Sequence, residues 1–348
     1  MKVFDTLIVG AGSAGCVLAN RLSEQPDHRV LLVEAGPADA SALIAMPKGF
    51  GKLLADPRHA HFYPVEPHAG NGHRREVWAR GKMLGGSSSI NGMVYVRGHP
   101  ADYDEWERHH GAIGWGWRTL GPCFRRIEDH ALGADTLRGA DGPLKISVHA
   151  GQTVLTEAAL EAARHIGLRK LGDINRLDHE GAAYLCYTMH GGVRQSAAAA
   201  FLRPVRERAN LAVMTDARVS RVLFDGRRAS GIELRHSGGR VEHIEARREV
   251  ILSAGALESP KLLQLSGIGD GALLQRFGIP VIAHRPAVGR NLREHLLTMM
   301  QWRLRDWAGS ENREYAGWRL AINALRSAGP HGTRDRARRR GGRMREAQ

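Results

Sequence analysis

The first hydrophobic run, Thr6-Leu7-Ile8-Val9, is unbroken and β-rich, the pattern of a buried strand in a parallel sheet. It stops at Gly10, and Cys16-Val17-Leu18-Ala19-Asn20-Arg21-Leu22 then has helical character. Arg29-Val30-Leu31-Leu32-Val33 predicts a second strand that ends at Glu34. From Gly36-Pro37 the pattern is loop-like through Pro47, Gly49 and Gly51. A turn at Asp141-Gly142-Pro143 precedes a strand over Leu144 to Val148. Val154, Leu155, Ala158, Ala162 and Ile166 then form a helical apolar stripe over Thr153 to Ile166. Ala197 to Leu202 reads as helical, and Pro204 redirects it. Asn210 to Thr215, Ala217 to Phe224, Gly231 to Arg235 and Arg240 to Ala246 predict a meander with Gly-rich turns. Val250 to Ala254 predicts another buried strand, followed by a helix that opens at Pro260 and ends at Gly267.

The break after the first strand carries chemistry. Gly10, Gly12 and Gly15 stand at G-x-G-x-x-G spacing between a strand and a helix. The first glycine permits a tight turn, the second lets a pyrophosphate approach the backbone, and the third lets helix pack on strand. Free N–H groups at the helix start favour the phosphates. Glu34 lies about 20 residues on, where a ribose-binding carboxylate is expected. This spacing predicts a dinucleotide site without choosing between FAD and NAD. A second candidate phosphate loop is Arg80-Gly-Lys-Met-Leu-Gly-Gly-Ser-Ser-Ser-Ile-Asn91. Gly85, Gly86 and the three serines offer successive amides and hydroxyls to an anion. Met83, Leu84 and the stretch from Ile90 through Val96 look buried, which argues against a flexible linker.

Composition narrows the picture. The length of 348 residues suits two domains, and no apolar run is long enough to span a bilayer. The chain opens directly on the first strand, so no cleavable signal peptide is expected before it. Cys16, Cys123 and Cys186 are few and scattered, which disfavours a disulfide framework or a cysteine-rich zinc site and suits a reducing cytoplasm. His59 with His61, and His68 with His73, read as exposed loop histidines. No acid or third histidine completes a metal site around them. The net charge of +14 suggests nucleic-acid binding, but seven arginines lie after Ser327 against two acids, Asp335 and Glu346. A solvated Arg-rich tail over 327–348 fits better than a nucleic-acid surface, because aromatic–basic interleaving is missing.

The 80–98 stretch closely resembles the first signature of the glucose–methanol–choline (GMC) family of FAD-dependent oxidoreductases. Pro100 to Trp106, with Gly114-Trp115, resembles the segment just after that signature in choline-dehydrogenase-like members. Gly255 to Gly269 is similar to the second signature. Asp173-Ile-Asn175, Gly192 to Ser196 and Val288 to His295 look like further family segments, with Glu294 where the family has Asp. The resemblance covers about residues 4–326. It implies an α/β fold: a Rossmann-like FAD-binding domain over 1–140 and 205–300, and a second, partial α+β substrate-binding domain over 141–204 and 301–326.

By the same resemblance, Gly10, Gly12, Ser13, Ala14 and Gly15 would hold the pyrophosphate, with Glu34 and Ala35 at the adenosine ribose. Arg80, Met83, Gly85, Gly86 and Ser87 would lie along the phosphates and flavin, with Asn91, Gly92, Met93 and Val94 beside the isoalloxazine. Val219 would meet the adenine, and Ala254 and Gly255 complete the set. Some members attach flavin to a histidine where this chain has Ile90, so the FAD is expected to be non-covalent. The activity implied is hydride transfer from a small alcohol or choline-like CH–OH donor to flavin. The family's catalytic histidine lies downstream of the resembling region, so no catalytic residue is assigned here, and His295 reads as structural. The chain is therefore expected not to turn over alcohol. The alternatives are a catalytically inactive FAD-binding fragment and an NAD-dependent Rossmann dehydrogenase, the second disfavoured by the Gly-Gly-Ser-Ser loop.

Overall fold

Short, continuously apolar strands must be covered on both faces, and here they pair into one sheet. The computed structural model describes residues 2–148, 153–178, 180–236, 238–295, 297, 300–304, 317–319 and 322. Six strands form the main sheet: β1 (Lys2–Val9), β2 (Val30–Val33), β3 (Leu211–Met214), β4 (Arg218–Asp225), β5 (Arg228–Arg235) and β6 (Val241–Leu252). Their order is β3-β2-β1-β6-β5-β4. The first four in that order run parallel, and β5 and β4 add on antiparallel. Helix α1 (Ser13–Leu22) connects β1 to β2, and α2 (Gly255–Leu265) follows β6. Leu7, Leu31, Ile232, Leu234 and Ile244 form the centre of one core and are 0–1% exposed. Each fully buried side chain of this size contributes about 1.5–3 kcal/mol by leaving water.

Two elements differ from the sequence reading. The expected strands Arg240–Ala246 and Val250–Ala254 are one 12-residue strand, β6. Arg247, Arg248 and Glu249 interrupt the hydrophobic pattern with exposed side chains, and the pairing with β1 shifts register there, from Phe4–Ala246 to Thr6–Glu249, without ending the strand. The helix expected to open at Pro260 begins at Gly255, and Pro260 lies inside it. Gly255 has a φ of +85°, a turn conformation that starts the helix five residues early.

The chain divides into two compact units. The first comprises Met1–Gly92 with Gln195–Leu296, and the second Met93–Arg194 with Leu297–Gln348. The first crossing therefore lies at Gly92, ahead of the boundary expected at residue 140. The reason is strand pairing: Val94–Tyr95 and Glu128–His130 belong to a four-stranded sheet with Cys186–Tyr187 and Leu144–Val148. That sheet lies wholly in the second unit, with helices Pro100–His110, Trp117–Ile127 and Val154–His165. Thr153 caps the last of these, its hydroxyl accepting the Thr156 N–H at 3.1 Å. A buried ion pair, Arg97 with Glu128, anchors the unit; Tyr95 and the Gly139 amide also donate to the Glu128 carboxylate. Residues 327–348, expected as the Arg-rich tail, and most of 301–326 lie outside the described residues. Among the described residues no helix is long and apolar enough to cross a membrane.

Candidate functional site

In an open parallel sheet, a crevice forms beyond the carboxyl ends of the strands. Here β1, β2 and β6 end at Val9, Val33 and Leu252, and a cleft of about 1080 Å³ opens beside them within the first unit. Its floor is the first glycine loop. Gly10 has a φ of +99°, and a Cβ there would lie 2.6 Å from the Ser253 carbonyl oxygen. Gly15 is equally closed, since a Cβ would come within 1.9 Å of the Gly10 carbonyl oxygen. Gly12 differs. A Cβ there would meet no protein atom closer than Ser253 O at 3.9 Å, so that space belongs to the cleft. Ser13 and Ala14, at the start of α1, line the same floor.

Glu34 stands at the end of β2, with 8% of its surface exposed. One carboxylate oxygen accepts the Ala11 N–H at 2.9 Å and the other the Gly36 N–H at 2.9 Å. Burial pushes its carboxyl pKa up, against these hydrogen bonds, which hold it down. Each oxygen keeps a further lone pair. Beneath the loop, Cys16 donates to the Ala11 carbonyl, and burial pushes its thiol up to about 12, so it is an inert packing group.

The second loop lies against the first. The Gly85 N–H donates to the Ala11 carbonyl at 2.8 Å, and a Cβ on Gly86 would lie 2.8 Å from the Gly12 Cα. Gly86 and Ser87 face the cleft; Met83 and Gly85 support it from behind, Met83 being fully buried. The serines are not the open set of hydroxyls expected. Ser88 donates to the Gly85 carbonyl and accepts the Ala197 N–H, and Ser89 donates to the Leu84 carbonyl. Ser87 Oγ accepts the Gly81 N–H. Their main task is to shape the loop. The stretch after it is also less buried than expected. Ile90 and Met93 are buried, but Asn91 and Gly92 are exposed, as are Val94 (46%) and Val96 (49%). Asn91 and Gly92 do not line this cleft, and Met93 and Val94 belong to the second unit.

Arg80, on the strand Glu76–Gly81, also lines the cleft. His61 and Tyr63 on the strand Ala60–Val65, with Arg218 and Glu258, line it too, and these the sequence did not single out for the site. His61 is thus half-buried in a strand, not an exposed loop histidine, and desolvation lowers its pKa. His59, also half-buried, bonds Asp56 at 2.5 Å, whereas His68 and His73 are exposed as expected. Burial, with Glu258 beside it, raises the Tyr63 pKa. Alternating positions along the 60–65 run carry the only signal for these residues, and Pro64 obscures it. Val219, Ala254 and Gly255 also line the cleft, Ala254 beside the first loop, its Cα 2.8 Å from where a Cβ on Gly10 would lie. Arg80 bonds Glu294 at 2.8 Å, and His295 is exposed.

Comparison with known proteins identifies the family and the fold. The GMC oxidoreductase family model matches residues 4–297. Choline dehydrogenase, mitochondrial, of Mus musculus is 46% identical over 305 residues, 86% of this chain and 51% of that protein. The oxygen-dependent choline dehydrogenase of Photobacterium profundum is 43% identical over 301 residues, 86% of this chain and 53% of its own length. Among solved structures, pyridoxine 4-oxidase from Mesorbium loti superposes with a TM-score of 0.78 at 39% identity, over 81% of this chain and 55% of that one. An FAD-dependent oxidoreductase from Chaetomium thermophilum gives 0.76 at 32%, over 82% and 51%. The chain thus spans about half the length of the curated relatives it matches. By matched length, motif order and fold, this chain belongs to the GMC oxidoreductase family.

Proposed function

We propose that the cleft binds FAD non-covalently and that the chain is the cofactor-binding part of an oxidoreductase acting on the CH–OH group of a small alcohol or choline-like donor. The observation that carries this reading is the meeting of two glycine loops, Gly12 against Gly86, at strand ends beside Glu34. The open Cβ space at Gly12 is the cradle a pyrophosphate needs, and the α1 N-terminus favours its charge. Gly10, Ser13 and Ala14 surround that space; Gly15 holds α1 close enough to form it. Glu34 uses its remaining lone pairs for ribose hydroxyls next to Ala35, while Val219 meets the adenine and Ala254 and Gly255 add to the lining beside Gly10. Gly86 and Ser87 cover the phosphates, Arg80 adds positive charge, and Asn91 stands beyond them toward the flavin end.

When bound, FAD supplies a hydride acceptor; the chain's own residues bind and orient it and keep water from its phosphates. Ile90 packs with Leu53, Ala60 and Met83 in a buried cluster and has no nucleophile, which supports non-covalent attachment. Among the described residues His61 is the histidine that lines the cleft, its ring 5.9 Å from that of Tyr63 on the same strand. No catalytic base is assigned to this chain, and we expect flavin binding without alcohol turnover. The relatives' names supply the substrate class: choline for the dehydrogenases and pyridoxine for the structural neighbour.

The test is reconstitution of the purified chain with FAD, then acid precipitation. Flavin should bind and then appear in the supernatant. Flavin retained on the precipitated polypeptide would refute the non-covalent reading, and failure of the folded chain to take up FAD would refute the cleft assignment.

A further inference from the structure

His130, Asp173 and Cys186 come from three separate segments of the second unit and meet in its interior. One potential ligand atom of each lies within 4.8 Å of the other two. They are 3%, 5% and 1% exposed. Buried polar atoms are normally satisfied, yet His130 Nε2 is buried and has no hydrogen-bond partner among the described residues. Around the cluster the polar atoms are held in place. Asp173 accepts the Asn175 N–H at 2.9 Å on one oxygen and an Arg138 N–H at 2.9 Å on the other. Arg138 is in turn paired with Asp135.

We propose that His130 Nε2, an Asp173 carboxylate oxygen and the Cys186 sulfur bind a zinc ion. Nitrogen, oxygen and sulfur donors together suit this borderline-soft cation, and a fourth position can take water. A tetrahedral site needs zinc–ligand distances of about 2.0–2.3 Å, so the three side chains must close in slightly from their present spacing. Binding releases the Cys186 thiol proton to solvent, and the metal's charge compensates the thiolate and Asp173. Metal at Nε2 also requires the ring proton on Nδ1. That proton displaces the Leu132 N–H, which donates to Nδ1 at a long 3.2 Å. Leu132 is 43% exposed, and its amide lies at a part-buried edge where water can replace the lost bond. Arg138 and Asn175 orient Asp173 as outer-shell groups. The sequence hid this site because positions 130, 173 and 186 carry none of the short ligand spacings of zinc motifs.

The experiment measures zinc by elemental analysis on the full chain, expressed with added zinc sulfate and dialysed without chelator. About one equivalent per chain is expected in the parent, with at least a tenfold loss in Cys186→Ser and His130→Gln. Cobalt exchanged into the parent should show thiolate-to-metal absorption that Cys186→Ser lacks. A metal-free parent that is folded by circular dichroism would overturn the proposal even if neither variant folds. Zinc retained by folded Cys186→Ser and His130→Gln together would also overturn it, by placing the ion elsewhere.

Discussion

Glu34 illustrates how one side chain serves two ends. Its carboxylate ties the first glycine loop to the end of β2 through Ala11 and Gly36, and the same group faces the cleft. Burial raises its folded pKa above the ordinary 4.5. The folded state therefore holds the proton more tightly than the unfolded chain. The stability this linkage contributes is full below the unfolded value and is lost as pH rises through the folded one. Glu34→Gln removes that dependence and replaces one acceptor by a donor facing a backbone N–H. Urea denaturation from about pH 4 to 8 should show a shallower decline of stability with pH in the variant; equal slopes would contradict the assignment.

The two glycine loops act as one element. Gly86 has a φ of +52° and no room for a Cβ against Gly12. Gly86→Ala should therefore cost about 2–4 kcal/mol through strain and displacement of the loop, and it should weaken FAD binding in whatever fraction stays folded. Thermal denaturation checks the first effect, and an unchanged midpoint would show that the loops do not touch. At this scale the sequence was informative where a physical constraint is local. The strand–glycine–helix pattern placed β1, α1, β2 and Glu34, because tight turns and buried strands leave composition signatures. It failed where a partner strand decides. β1 pairs β6 on both sides of Arg247-Arg248, at 244–246 and again at 249–252 across a register shift, and hydrophobicity cannot report that. The serine hydroxyls turned inward for a similar reason, since their acceptors lie on backbone turns that the sequence does not display. His61 and Tyr63 were missed because a strand that forms one wall of a cleft looks like any half-buried strand.

For the molecule as a whole, cofactor cleft and buried ion network lie in different units. Arg97 and Glu128 are 2% and 0% exposed at their side chains. Glu128→Gln leaves the guanidinium buried without its counter-charge, which costs about 3–5 kcal/mol. Because the cleft lies wholly in the first unit, the FAD dissociation constant should change less than twofold in the variant at temperatures where it stays folded. Loss of flavin in parallel with the lowered melting temperature would show that the site needs the second unit.

The cofactor reading stands or falls on the space beside Gly12. Gly10, Gly12 and Gly15 share one motif but differ in what a side chain would meet: protein at the first and third, the cleft at the second. The decisive measurement is an FAD titration, read by flavin fluorescence, of the parent and Gly12→Ala, with the melting temperature of each apoprotein recorded alongside. Nearly equal melting temperatures are expected, with at least a tenfold weaker dissociation constant in Gly12→Ala. Equal affinity in two equally stable proteins would contradict the assignment of that space to the cofactor.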